Sequence, residues 1–272
     1  MKFRMHPTNR RGSSTRAGGK GNTLSSITSL ACLSSLFIVS TTPYFFASAA
    51  LNQKSVLQNF YNQLNGDNWD KPWNTDGDDE CNWEGVVCDT NGHITEINLP
   101  DNNMAGVISP HVYSLPHLAN LDFSKNRITS AGWDKIDDVL DGDDLVANVE
   151  VIDLTNNLIN SVKGVDRLKD SLTELHMTYN NLKGEMPAEL FKLKHLEILA
   201  ISENEIDGKI DTRIGRLTNL LELYCYGNKV TGVIPTEIGE LTKLQILTLA
   251  ENKLEGKIPN SIRNMGNLKT FS

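Results

Sequence analysis

No Asn-x-Ser/Thr acceptor occurs anywhere in the 272 residues, and only four cysteines and six histidines are available for chemistry. None of those histidines has a serine, cysteine or carboxylate at the spacing of a known catalytic motif, so no acid–base or nucleophilic machinery is expected. Gly18-Gly19-Lys20 lacks the spacing of a phosphate-binding loop. The pair Cys81 and Cys88 has no histidine or further cysteine at ligand distance in the sequence, which speaks against a zinc centre. No catalytic residue, no metal and no cofactor is therefore expected. Excess positive charge is missing too, apart from the first 20 residues. Residues 1–49 hold six basic residues and no acidic one; without them 20 Lys and Arg stand against 34 Asp and Glu, a balance of −14. Such a surface suits basic or neutral partners and excludes nucleic acid.

What the chain has in quantity is a recurring phrase. LQILTLAENKLEGKIP, from Leu244 to Pro259, repeats upstream with its first apolar residue at Ile94, Leu118, Val149, Leu172, Leu196, Leu220, Leu244 and Leu268. The intervals are 24, 31, 23, 24, 24, 24 and 24 residues. A period in the twenties carrying LxxLxLxxNxL is the signature of leucine-rich repeats, each supplying one short strand to a curved solenoid. One unit is too short to enclose a core, so its apolar positions must be buried by the coils on either side. In the seventh unit Leu244, Leu247, Leu249 and Leu254 are predicted to point inward, with Ile246, Thr248 and Ala250 facing out between them.

The ninth position is asparagine in all seven complete units: Asn102, Asn126, Asn157, Asn180, Asn204, Asn228 and Asn252. A buried amide persists only where it is hydrogen-bonded, and the backbone turning away from each strand offers unpaired groups. These residues are read as a structural ladder. The outward positions of units four to six carry His176, Tyr179, Tyr224 and Tyr226, which form the candidate ligand-binding patch on the concave strand face. Tyrosine suits such a role because it joins apolar area to a hydrogen-bonding tip.

The second half of the unit reads NLKGEMP, KVTGVIP and KLEGKIP. With this LxGxIP phrase the chain from Cys81 to Ser272 resembles the plant-type extracellular leucine-rich repeats of receptor kinases, receptor-like proteins and cell-wall inhibitors. The first unit departs with Ser109 and the fifth with Asp211 where proline is usual, and the second and third lack the phrase. CNWEGVVC, Cys81 to Cys88, is similar to the amino-terminal cap of such ectodomains. The apolar spacing from Leu51 to Asn65 predicts an amphipathic helix before it, ended by Asn65-Gly66. A terminal coil lacks one neighbour; the helix, Trp69, Trp73, Trp83 and a Cys81–Cys88 disulfide would close it. Cys225 takes an inward position as a small buried hydrophobe.

Three domains follow: a leader over 1–49, an N-terminal cap over 50–92, and repeats over 93–272, seven complete and an eighth begun at Leu268. The leader, basic and then apolar from Ile27 to Val39, has the layout of a secretory signal with an A-x-A site at Ala47-Ser48-Ala49. An uncleaved anchor and an organelle transit peptide are its alternatives. The second unit is extended by seven residues bearing Asp134, Asp137, Asp138, Asp141, Asp143 and Asp144; their spacing is not that of an EF-hand, and a solvated loop is expected. No capping unit follows Leu268, which implies a piece of a longer protein.

Taken together, a non-catalytic secreted or cell-surface recognition module is expected, binding a protein, peptide or glycan on its concave face. The alternatives are a structural or adhesive cell-wall protein and an inhibitor of a secreted wall-degrading enzyme. No nucleic acid is expected as partner, and membrane only through an uncleaved leader or a span beyond the repeats.

Overall fold

The computed structural model describes residues 52–77, 79–139 and 148–272. The leader with Cys32, and Asp141, Asp143 and Asp144 of the acidic extension, lie outside the described residues.

The leucine spacing folds as strand geometry requires. Nine strands form one sheet: β1 Val86–Cys88, β2 Ile94–Asn98, β3 Asn120–Asp122, β4 Val151–Asp153, β5 Glu174–His176, β6 Ile198–Ala200, β7 Glu222–Tyr224, β8 Ile246–Thr248 and β9 Thr270–Phe271. From β2 onward neighbours run parallel. Leu175 pairs with Leu199, Leu199 with Leu223, and Leu223 with Leu247, so equivalent residues of successive units face one another. This register stacks the leucine columns into one continuous core, running from Val56 in the cap to Met265 near the end. The sheet therefore presents one leucine-lined inner face, and the residues alternating with those leucines line the other.

On the opposite side of the coil the chain forms five-residue 3-10 helices, at Ala188–Lys192, Thr212–Arg216, Thr236–Glu240 and Asn260–Asn264. The architecture is an α/β-type repeat solenoid, with 3-10 turns as its helical segments on this side. Each spans only the few residues between its N-cap and the next buried apolar residue, so i→i+3 bonds such as Ile238 N–H to Pro235 C=O at 3.2 Å close the turn within the available length. Proline is the N-cap residue in three of the four. Asp211 is the exception, and its side chain accepts the Arg213 N–H, which explains the departure from the LxGxIP phrase. Short lateral strand pairs, Lys183–Gly184 with Glu205–Ile206 and Thr231–Gly232 with Lys253–Leu254, join coils on a third side.

In the cap, helix α1 spans Gln53–Gln63 and is capped by Asn52, whose side chain accepts the Ser55 N–H. Val56, Leu57, Phe60 and Tyr61 bury its inner stripe. Trp69 stands edge-on to Trp73, and Trp73 packs on Trp83, each pair with centroids 5.0 Å apart. Phe60 carries this aromatic cluster to Phe123 of the second unit, 5.2 Å away. β1 runs antiparallel to β2, so the cap adds one strand to the open end of the sheet. The acidic extension begins with the four-residue helix α2, Ile136–Val139. Trp133 and Ile136 are buried there, while Asp137 pairs with Arg167 at 2.7 Å and Asp138 with Lys135. Among the described residues no helix is long and apolar enough to cross a membrane.

Candidate functional site

The asparagine of each unit bonds its own coil to the one before it. Asn228 donates to the carbonyls of Ile201, Cys225 and Tyr226 and accepts the Ile206 N–H at 3.0 Å. The same pattern holds at Asn157, Asn180, Asn204 and Asn252. At Asn126 the side-chain oxygen accepts two N–H groups, from Asn102 and Met104. The ladder extends into the cap, because Asn102 accepts the Lys71 N–H at 2.8 Å.

Just before each ladder asparagine the backbone turns left-handed, with positive φ at Asp101, Lys125, Asn156, Tyr179, Glu203, Gly227 and Glu251. Tyr179 stands out in that series. Its φ is 57° and it is 52% exposed, so a bulky aromatic takes the left-handed turn that every unit uses, held by its N–H to the Ser202 carbonyl and by the Asn157 N–H on its own carbonyl, both at 3.1 Å.

The strand register then assembles a patch around Tyr179. In the middle column Ala200 pairs with His176 on one side and Tyr224 on the other. In the next outward column Ser202 lies between Thr178 and Tyr226, and its hydroxyl accepts the Tyr226 N–H at 3.2 Å. Ala200 and Ser202 are buried under these larger neighbours, making a trough whose floor is unit five and whose walls are units four and six. Two of the aromatic tips meet a carboxylate. His176 Nε2 lies 3.2 Å from Glu174, and Tyr224 donates to Glu222 at 2.6 Å. The Glu222 bond, with some burial, pushes the Tyr224 phenol up to about 12, and the neighbouring Tyr179 and Glu203 raise that of Tyr226. All four candidate residues thus fall within three successive units. The contributions of Ala200, Ser202 and the glutamates went unread in the sequence, although the 24-residue period places them beside the tyrosines.

The cysteines divide into a bond and a buried thiol. Cys81 and Cys88 form a disulfide at a Cα separation of 5.7 Å, beside the cap's antiparallel strand. Cys225 is buried and unpaired, and burial pushes its thiol up to about 12, far from a reactive thiolate. Asp89, His93 and His117 converge at the junction of cap and repeats. Repeat registry brings together histidines 24 residues apart, a separation that no linear ligand motif uses.

The family described as Leucine rich repeat N-terminal domain matches residues 50–89, and that described as Leucine Rich Repeat matches 171–193 and 243–265. The chain is 28% identical over 165 residues to MDIS1-interacting receptor like kinase 1 of Arabidopsis thaliana, covering 60% of this chain and 15% of that protein. Among solved structures, that of PEPR1-AtPEP1 superposes with a TM-score of 0.65 at 28% identity, over 80% of this chain and 30% of that one. A plant ice-binding protein superposes at 0.53 with 27% identity, over 77% of this chain and 58% of that one. The chain spans a small part of the curated relative it matches. Similarity to both a receptor and an ice-binding protein means that the fold does not by itself fix the function.

Proposed function

Because the chain belongs to the plant-type leucine-rich repeat proteins, we propose that it is an extracellular or cell-surface recognition module that binds an extended peptide along its concave strand face. Catalysis is not part of this reading. The observation that carries it is the strand register that sets His176 and Tyr224 on either side of the buried Ala200, with Tyr179 exposed at the same face.

The trough sets the ligand's character. Adjacent strands lie about 4.8 Å apart, so His176 and Tyr224 stand roughly two spacings from one another, a width that admits one peptide backbone. Glu174 and Glu222 orient two of the aromatic tips and leave the site net negative, and aromatic faces flanked by carboxylates favour Lys or Arg side chains. A cationic peptide segment fits best.

Panning a peptide display library against the full chain tests the reading. Enriched basic sequences that lose binding to the Tyr224→Ala, Tyr226→Ala double variant support it. Either no enrichment, or peptides that bind the double variant as well as wild type, rejects the trough as the site.

A further inference from the structure

At the other end of the repeats, the coil geometry itself assembles a cluster of metal-ligating side chains. His93 and His117 occupy the same place in successive units, immediately before Ile94 and Leu118. The strands that follow are paired one period apart, Glu96 with Asn120 and Ile97 with Leu121. The two imidazoles consequently stack, with centroids 4.0 Å apart and planes 13° from parallel. Asp89 completes the group: its Oδ2 lies 3.1 Å from His93 Nδ1, and one ligand atom from each of the three residues falls within 4.8 Å of the others. We propose that Asp89, His93 and His117 form a binding site for a divalent first-row transition ion, zinc above all, which ties the hairpin of the cap to the second repeat.

Two of the three ligands are already held in place. Asp89 Oδ1 accepts the N–H groups of Asn91 and His93 at 2.8 and 2.9 Å, which fixes the carboxylate and presents Oδ2 to the histidines. From helix α1, Gln53 clamps the same turn, donating to the Gly92 carbonyl and accepting the Ile94 N–H, both at 2.8 Å. The adjoining Cys88 is anchored by its disulfide. His117 is the adjustable member, exposed on the turn before β3. Zinc bonds of about 2.0–2.2 Å call for ligand atoms closer together than they now stand, and rotation of this exposed ring supplies the closure.

The donor set selects the ion. Two imidazole nitrogens and one carboxylate oxygen match zinc and its neighbours, whereas calcium takes six to eight oxygens. Three protein ligands leave a fourth position for water. Elsewhere the same column is tied by ordinary hydrogen bonds, as where Lys243 donates to Asn219 at 2.8 Å. His195 stands in that column too, but with Ser171 and Asn219 as its neighbours it has no imidazole beside it.

Isothermal titration of untagged, EDTA-stripped protein with zinc chloride tests the site, alongside His117→Asn and, as a control from the same column, His195→Asn. One saturable site is expected in wild type and in His195→Asn, and its loss in His117→Asn. Zinc should also raise the thermal midpoint of wild type, since an ion that binds only the folded state stabilises it; magnesium should not. A metal-free melting point for His117→Asn equal to that of wild type would show that the substitution acts on the ion and not on the fold. The absence of saturable zinc binding in wild type, or binding undiminished in His117→Asn, overturns the proposal and leaves the rings as a stacked surface pair.

Discussion

Ile206 donates its backbone N–H to the side-chain oxygen of Asn228 at 3.0 Å, so the turn of one coil is bonded to the asparagine of the next. Both groups are buried, and no water can replace the asparagine without opening the coil. Asn228→Ala leaves that N–H unpaired and should cost about 1–3 kcal/mol of stability. Chemical denaturation should show a lowered midpoint, while peptides selected on the strand face should bind the folded variant unchanged. A wild-type midpoint would mean that the ladder asparagines are interchangeable with apolar residues.

Tyr179 should show the opposite sign. Relieving a left-handed aromatic by Tyr179→Asn, a residue that tolerates positive φ, should raise stability by about 1 kcal/mol, because the exposed ring loses little packing. The same change removes an exposed aromatic from the patch and should weaken peptide binding. Denaturant midpoints and affinities measured on the one variant would settle both halves. A gain in stability with affinity intact would separate the strain from any recognition role.

These residues also mark how far the sequence could be read. The repeat period, the ladder and the outward columns are legible because a 24-residue recurrence converts directly into strand register: once Leu199 faces Leu223, Ala200 must face Tyr224. Properties that depend on backbone conformation were not legible. The left-handed turn is shared by Asp101, Lys125 and Glu251, residues with no composition in common, so nothing in the letters flags Tyr179 as strained. The 3-10 helices were hidden because five residues are too few to display a period. Asp211 read as a lapse in the LxGxIP phrase until the structure showed it capping a helix. The His93–His117 stack was accessible in principle, since the two residues are one period apart, but only if positions are compared between units instead of along the chain.

The disulfide should matter chiefly to the cap. Cys81 and Cys88 lie seven residues apart, and closing so short a loop contributes about 2–3 kcal/mol on chain-entropy grounds. Replacing both cysteines by serine, or adding reductant, should lower the thermal midpoint by that measure. Hydrogen exchange should locate the loosening in β1 and the Gln53-clamped turn, leaving the strands from β5 onward protected. Uniform loss of protection along the repeats would instead show that the cap nucleates the whole solenoid.

Asp211 supplies a pH signature. Its carboxylate accepts the Arg213 N–H at 2.8 Å and the guanidinium Nε at 2.9 Å, and chiefly through the guanidinium it is lowered from 3.8 to about 2. A carboxyl more acidic in the folded state than in the unfolded one stabilises the fold at every pH above the unfolded value, and that contribution drains away as pH falls from about 4 towards 2. Asp211→Asn keeps an oxygen to cap the helix but cannot ionise. Its unfolding free energy should therefore fall less steeply than that of wild type between pH 4 and 2, with the two curves separated most near neutrality. Parallel curves across that window would show that the Asp211–Arg213 pair stabilises the unfolded chain as much as the folded one, and that the fifth unit tolerates the loss of its proline for reasons other than this charge.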